Sequence, residues 1–370
     1  MKEGRKSPMI LISSGGTGGH MTPAAALAAD LKQRGFTVEL VTDPRGRKFA
    51  QSMFAGIPVH EVRAGTAGSG FAGKVRGLSN LGIGIAQALK LVAANKPDLV
   101  VGFGGYPSVP GVWAAQQCNV PTIIHEQNAV LGKANLFLAP KAERIALSLP
   151  GGKGLENEEK MRCVITGNPV RPEIAALAEM PYPELTPGGK LNILVMGGSL
   201  GANIFADVVP PALTKIPALD RKRLHVTQQC RAEDMERVEK AYKDAGISAK
   251  CATFFDNVAE ILKTSHLVIA RSGASTVAEL TAAGRPAIYV PYPHHKDQQQ
   301  KKNAEMIEDI GGAWVMVEGG FTVEALLAKL ETVLQNPQIL KDAAEHAKSA
   351  GRPDAAHKLG NLVTAIAGGW

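Results

Sequence analysis

Aromatic residues make up only 5% of this 370-residue chain, and three of them are tryptophan. No basic run is interleaved with aromatics and no nucleic-acid reader motif is present, so a nucleic-acid surface is not expected. Cysteine is equally scarce. Cys118, Cys163, Cys230 and Cys251 form neither a CxxC pair nor a disulfide framework, which suits reduced thiols in a cytoplasmic protein. No apolar run approaches the roughly 20 residues of a membrane-spanning helix. The basic opening Lys2 to Lys6 leads only into the short run Met9–Ile12, so neither a signal peptide nor a transmembrane span is expected. An Asp-x-Asp pair, the usual short arrangement for a metal on a sugar diphosphate, is also missing, and no metal is implied.

What is present is a globular composition, 45% hydrophobic and 20% charged, in a chain long enough for two domains. The net charge of +7 is uneven: residues 1–169 hold 19 Lys and Arg against 11 Asp and Glu, whereas residues 170–370 hold 22 against 23. The basic half suits a phosphate-bearing ligand or an anionic bilayer, where each cation contributes about 1 kcal/mol. A merely solvated basic face is the plain alternative.

The stretch Met9 to Pro23, MILISSGGTGGHMTP, is the organising feature. A short apolar run breaks into Gly15-Gly16-Thr17-Gly18-Gly19-His20 ahead of an alanine-rich segment, which predicts strand, glycine loop and helix. Thr22 as N-cap, Pro23 at the first helical position and Gly35 beyond the end would frame that helix, with His20 at its mouth. Helix-start amides and the dipole attract anions, and the glycines let another molecule approach the backbone. A purely structural turn explains the same letters.

Strands are predicted at Thr37–Thr42, Val59–Val62, Leu99–Phe103, Pro121–His125 and Cys163–Thr166 with helices between, giving a parallel doubly wound α/β sheet. The segment Ala64–Asn80 brings Phe71, Lys74, Val75, Arg76 and Leu78 together; it reads equally as a loop entering a helix or as a membrane-docking patch. Gly102 to Ser108 and His125 to Asn128 follow strands where a ligand crevice opens, although His125 and Glu126 could simply satisfy each other.

Prolines in Gly167-Asn168-Pro169-Val170-Arg171-Pro172 suggest a stiff hinge, after which the pattern returns. Asn192–Met196 is a strand, Gly197 to Ala202 a glycine loop and Asn203–Leu213 a helix, with further strands at His225–Gln228, Lys250–Phe254, Leu267–Ala270 and Ala287–Val290. The densest later run is Arg271 to Glu279. There a helix from about Thr276 could be closed by a Thr276/Glu279 capping box, or its amides could hold a diphosphate while Glu279 accepts from ribose hydroxyls.

The runs GGTGGH, HEQN at 125–128, GNPVR at 167–171, GGSLGA at 197–202, RSGASTVAEL at 271–280 and the glutamines before Lys301 resemble the MurG family in order along nearly the whole chain. The resemblance implies two Rossmann-like domains facing across a cleft, the glycosyltransferase-B fold. Residues 1–169, joined by a C-terminal helix at 350–370, would be the acceptor and membrane-facing domain, and residues 170–349 the donor domain. It implies an inverting, metal-independent transfer of N-acetylglucosamine from UDP-GlcNAc to the O4 hydroxyl of N-acetylmuramic acid in lipid I, forming lipid II for peptidoglycan. No cofactor is implied.

By matched position, His20 would be the general base. Thr17, Gly18 and Gly19 would line the reaction centre on the donor side, while Asn128, Arg171 and Ser199 reach the donor and Phe255 lies against the uracil. Ala274, Ser275, Thr276, Val277, Ala278 and Glu279 would clamp nucleotide and sugar, and Gln299 and Gln300 would read the sugar hydroxyls. Gly15, Gly16, Tyr106, Glu126 and Asn135 fall on the acceptor side. Leu200 replaces a glutamine frequent in relatives, and the segment from Pro293 to Asp297 looks a residue longer than some. The resemblance places the protein peripherally on the cytoplasmic face of the bacterial inner membrane, against anionic lipid and near other cell-wall synthesis proteins. A nicotinamide-dependent oxidoreductase, a UDP-sugar 2-epimerase and a non-catalytic scaffold are the competing readings. The first lacks a clear GxGxxG with its distant acidic residue.

Overall fold

The computed structural model describes residues 7–65, 70–150, 154–186, 188–198, 201–294 and 298–368; the side chains of 70–76 and 78 lie outside this description. The chain divides into two compact units, Met1–Arg171 with Asp354–Trp370, and Pro172–Pro353.

The first unit is built on seven parallel strands: β1 (Met9–Ser13), β2 (Thr37–Thr42), β3 (Val59–Glu61), β4 (Leu99–Gly102), β5 (Thr122–Glu126), β6 (Arg144–Leu147) and β7 (Cys163–Ile165). Their order, β3-β2-β1-β4-β5-β6-β7, reverses between β1 and β4. In such sheets the crevice beyond the strand ends opens at that reversal, where the loops after β1 and β4 both emerge. β1 is buried along its whole length, which is why it reads as a continuous apolar run rather than an alternating one. β6 escaped the sequence reading because it is short and opens on Arg144.

The helix after β1 spans Gly18–Gln33, with Thr17 as an extended N-cap that makes no side-chain cap. It therefore starts earlier than Thr22 and Pro23 suggested, and His20 lies inside its first turn rather than before it. The Ala355–Ala367 helix packs on this one: Leu359 and Val363 are fully buried in the cluster that holds Leu27 and Leu31. Gly360 permits the approach, since a Cβ there would fall 2.9 Å from the Arg34 guanidinium and into the Asp30 carboxylate. Arg34 then bonds Asp30 (2.6 Å), Asn361 (2.8 Å) and the His357 carbonyl (2.9 Å).

The second unit repeats the plan with β8 (Leu191–Met196), β9 (Leu224–Gln229), β10 (Ser248–Ala252), β11 (Leu267–Ala270), β12 (Ala287–Tyr289) and β13 (Ala313–Val315). The order is β10-β9-β8-β11-β12-β13, all parallel, with the reversal again beside the glycine loop. β10 sits two residues earlier than expected. It is an edge strand whose first three residues are exposed, so no apolar alternation marks its start. Among the described residues no helix is long and apolar enough to cross a membrane. Phe71, Lys74, Val75, Arg76 and Leu78 fall on the Gly70–Asn95 helix, but their side chains are outside the described residues.

Candidate functional site

The glycines of the β1 loop do different jobs. A Cβ on Gly15 would fall 2.7 Å from Asp43 Oδ1 and 2.8 Å from Pro107 Cβ, and Gly16 holds φ +83°, so both are demanded by the fold. Gly15 is buried. Asp43 grips the loop: Oδ1 accepts from the amides of Gly16 and Gly46, each at 2.9 Å, and Oδ2 from Arg45 Nε at 2.9 Å. A Cβ on Gly18 would meet nothing within 4 Å, and one on Gly19 only Thr17 Oγ1. Packing does not require glycine at those two positions.

His20 stands half-buried at this loop, its Nδ1 3.0 Å from Gln127 Oε1. Gln127 Nε2 in turn donates to the carbonyls of Phe103 (3.0 Å) and His125 (3.2 Å) and to His125 Nδ1 (3.0 Å). His125 is completely buried and its Nε2 donates to the Gly167 carbonyl at 3.0 Å. Burial lowers its pKa to about 4, with the nearby His20 adding to the effect against the Gly167 hydrogen bond, so at neutral pH it is the uncharged imidazole. On the other side of His20, a Cβ on Gly105 (φ +69°) would lie 3.2 Å from Nε2; glycine keeps that edge open. Tyr106 beside it is 49% exposed.

Glu126 does not pair with His125. Its Oε1 accepts from Asn128 N (3.0 Å) and Nδ2 (3.1 Å), and its Oε2 from Gly132 N (2.9 Å) and Asn135 Nδ2 (2.8 Å). Both Glu126 and Asn135 are buried. A carboxylate with four donors inside the loop organises residues 126–135. Asn128 is held by the same carboxylate and remains half-buried, as does Arg171.

In the second unit the β8 loop is held without a charge. Gln229 Oε1 accepts from Gly197 N at 3.1 Å, while Nε2 donates to the carbonyls of Gly198 and Thr253, each at 3.1 Å. Ser199 and Leu200 lie outside the described residues. The following helix, Asn203–Lys215, presents its N-terminus to the loop. Phe255 is 7% exposed and packs in the core with Leu262 and Leu280, whereas Phe254 turns outward, 72% exposed.

After β11 the helix spans Ala274–Ala282 with Gly273 as N-cap. Thr276 is therefore inside the first turn and the capping box with Glu279 is overturned. The amides of Ala274, Ser275 and Thr276 belong to the helix N-terminus, the arrangement that receives anions. Ala278 follows them within the helix, and Val277 is 5% exposed and part of the core. Ser272 Oγ donates to the Gln300 carbonyl (2.9 Å), and Gln300 Oε1 accepts from Tyr292 N (3.0 Å). This fastens the Gln299–Glu308 helix start beside the loop and leaves Gln299 half-buried at its first position. Arg271 is structural: its guanidinium lies 5.6 Å from the ring centroids of both Phe205 and Tyr292 and pairs with Glu318 at 2.5 Å.

Sequence reasoning assigned no role to Asp43, Gln127 or Gln229. Asp43 carried a usable signal, an Asp-Pro pair opening the Pro44–Met53 helix. Gln127 lay inside a quoted motif, whereas nothing in the letters around Gln229 marks a clamp.

Residues 10–147 match the glycosyltransferase family 28 N-terminal domain, and residues 192–359 its C-terminal domain. Over 359 residues, 97% of this chain and 94% of the relative, the chain is 48% identical to the UDP-N-acetylglucosamine–N-acetylmuramyl-(pentapeptide) pyrophosphoryl-undecaprenol N-acetylglucosamine transferase of Rhodospirillum centenum. It is 46% identical to the protein of that name from a Methylobacterium species, across 97% of this chain and 98% of the relative. The crystal structure of Acinetobacter baumannii MurG superposes with a TM-score of 0.77 at 29% identity, covering 96% of this chain and 99% of that one. The UDP-GlcNAc 2-epimerase of Neisseria meningitidis superposes at 0.68 with 12% identity, covering 96% and 99%, which is a likeness of fold. The chain belongs to glycosyltransferase family 28 and, within it, to the MurG family.

Proposed function

We infer that the protein transfers N-acetylglucosamine from UDP-GlcNAc to the O4 hydroxyl of N-acetylmuramic acid in lipid I, with inversion at the anomeric carbon. The observation that carries the chemistry is His20: a half-buried imidazole whose Nδ1 is engaged by Gln127 and whose Nε2 edge is kept clear by Gly105. Nε2 takes the hydroxyl proton as the oxygen attacks; the new O–C1 bond forms while the bond from C1 to the phosphate oxygen breaks, and UDP leaves with that electron pair. One base suffices for this single displacement, and such a base is worth about 10²- to 10⁴-fold in rate.

The second unit supplies the donor's contacts. The helix starts at Asn203 and Ala274 offer amides to the diphosphate, with the hydroxyls of Ser199, Ser275 and Thr276 adding donors, so charge on departing UDP is met by fixed dipoles and neutral donors without a metal. Glu279 and Gln299 read ribose and sugar hydroxyls. Phe254, not Phe255, is the side chain free to cover the base. In this reading the basic first unit docks peripherally on the anionic cytoplasmic leaflet that holds the lipid acceptor.

The test is transfer of labelled N-acetylglucosamine from UDP to a short-chain lipid I analogue, with and without chelator, following UDP and glycolipid together. Stoichiometric UDP and glycolipid, unchanged by chelator, is the expected result. Free sugar without glycolipid would move the protein to hydrolysis or to the epimerase chemistry of its structural neighbours, and donor binding without turnover would make it a scaffold.

A further inference from the structure

The interior polar chain behind His20 has a direction. Gln127 places Nε2 within 3.0 and 3.2 Å of two backbone carbonyl oxygens, Phe103 and His125. A carbonyl oxygen only accepts, so the amide nitrogen must face them, and the flipped amide would set Oε1 against two oxygens. Its Oε1 therefore faces His20, and a carboxamide oxygen also only accepts. The shared hydrogen at 3.0 Å is accordingly on His20 Nδ1. The far end agrees independently: His125 Nε2 must donate to the Gly167 carbonyl, which leaves its Nδ1 as the lone pair that receives the Gln127 N–H.

We propose that Gln127 is a positioning residue that fixes the tautomer of His20 by holding a hydrogen on Nδ1, so that the lone pair stands on Nε2, and that His125 locks Gln127 in the required orientation. The proposal rests on His20 being the base of the transfer reaction. Uncharged imidazole carries its hydrogen on either nitrogen, and only one tautomer leaves Nε2 able to accept. Among the described residues His20 Nε2 has no hydrogen-bond partner, so Nδ1 is where the choice is made. Once Nε2 has taken the hydroxyl proton, the imidazolium still donates Nδ1–H to Gln127 Oε1, and a neutral amide oxygen stabilises that cation without adding a negative charge that would compete for the proton.

The decisive experiment labels the histidines with ¹⁵N in the full-length enzyme, with His20→Ala assigning the His20 resonances. Wild type at pH 8 is expected to show a protonated Nδ1 and an unprotonated Nε2 at His20. Gln127→Met, which keeps the length but removes both hydrogen-bonding atoms, is expected to shift population toward the Nε2–H tautomer. Its kcat should fall by at least about tenfold, with about 10⁴-fold, the cost of a wrong tautomer in a serine-hydrolase triad, as the upper bound. UDP-GlcNAc affinity should stay within about twofold, an equilibrium shift under 0.5 kcal/mol. A wild-type His20 carrying its hydrogen on Nε2, or a folded Gln127→Met enzyme with unchanged kcat, would overturn the proposal. Should Gln127→Met fail to fold, the wild-type tautomer still decides it. Unimpaired transfer by His20→Ala would instead remove the base reading while leaving the tautomer measurement standing.

Discussion

The two glycine loops, after β1 and after β8, are the same solution to the same problem and differ in what grips them. Each follows a buried central strand at the point where the sheet order reverses, and each opens a helix. The β1 loop is held by a carboxylate, Asp43, and carries His20 in its helix. The β8 loop is held by a neutral amide, Gln229, which makes the same kind of bond to Gly197 N without charge. A carboxylate beneath the second loop would oppose any anion brought to the helix start at Asn203; beneath the first, where a neutral hydroxyl is to be deprotonated, it does no such harm. On the mechanism proposed above, the first loop serves proton transfer and the second meets negative charge, and the two grips differ in that sense.

The sharpest break of that contrast is His20→Ala. Transfer should fall by about 10²- to 10⁴-fold while UDP-GlcNAc binding, measured by calorimetry, holds. Equal loss of both would mean that the first loop also carries the donor.

Next in size is a pH effect that belongs to the first loop. His125, the buried end of the chain that supports His20, has its folded pKa lowered to about 4 by burial. Below the ordinary histidine value near 6.5 the unfolded chain binds a proton that the folded chain refuses. Its contribution to stability is therefore complete above that value and is lost as pH falls toward 4, by about 1.4 kcal/mol per pH unit. His266, at the start of β11, shifts in the same direction through burial and adds to the slope from the second unit. Urea midpoints at pH 7 and pH 5 should show a steep acid loss in wild type and a shallower one in His125→Asn; equal slopes would mean that His125 accepts its proton in the folded state.

Much of this was legible in the letters, and the parts that were not share a physical cause. The doubly wound architecture, its repetition and the position of every glycine loop follow from buried apolar runs and glycine, because parallel strands covered on both faces cannot hide their composition. Helix starts were misplaced at Thr22 and Thr276, because hydroxyl side chains there mimic caps while Thr17 and Gly273 cap through backbone conformation alone. Which member of a pair faces inward was invisible: Phe254 and Phe255 differ by one residue and by opposite environments. Ligand-facing and loop-supporting residues occupy the same motifs, so a motif match finds the site without dividing the labour within it.

Exchanging the two grips is the next test. Gln229→Glu is isosteric and puts a negative charge under the β8 loop. The apparent affinity for UDP-GlcNAc should weaken about tenfold at low salt, less at high salt, with turnover at saturation retained. Asp43→Asn should leave donor affinity alone and lower stability by about 1 kcal/mol, through the lost pairing with Arg45 and the loosened Gly16 contact. Loss of donor affinity in Asp43→Asn and not in Gln229→Glu would reverse the division of roles between the loops.

The smallest effects separate glycines that serve the fold from glycines that serve a ligand. Gly16→Ala forces a side chain into φ +83° and should cost about 1 kcal/mol of stability. Gly18→Ala should do the opposite: it lies in the helix with open space around a Cβ, and replacing glycine by alanine in a helix stabilises by up to about 1 kcal/mol. A slightly higher melting temperature together with slower transfer would mean that a glycine the fold would gain by losing is kept for what approaches it from outside. A higher melting temperature with unchanged transfer would confine the functional part of the loop to His20 itself.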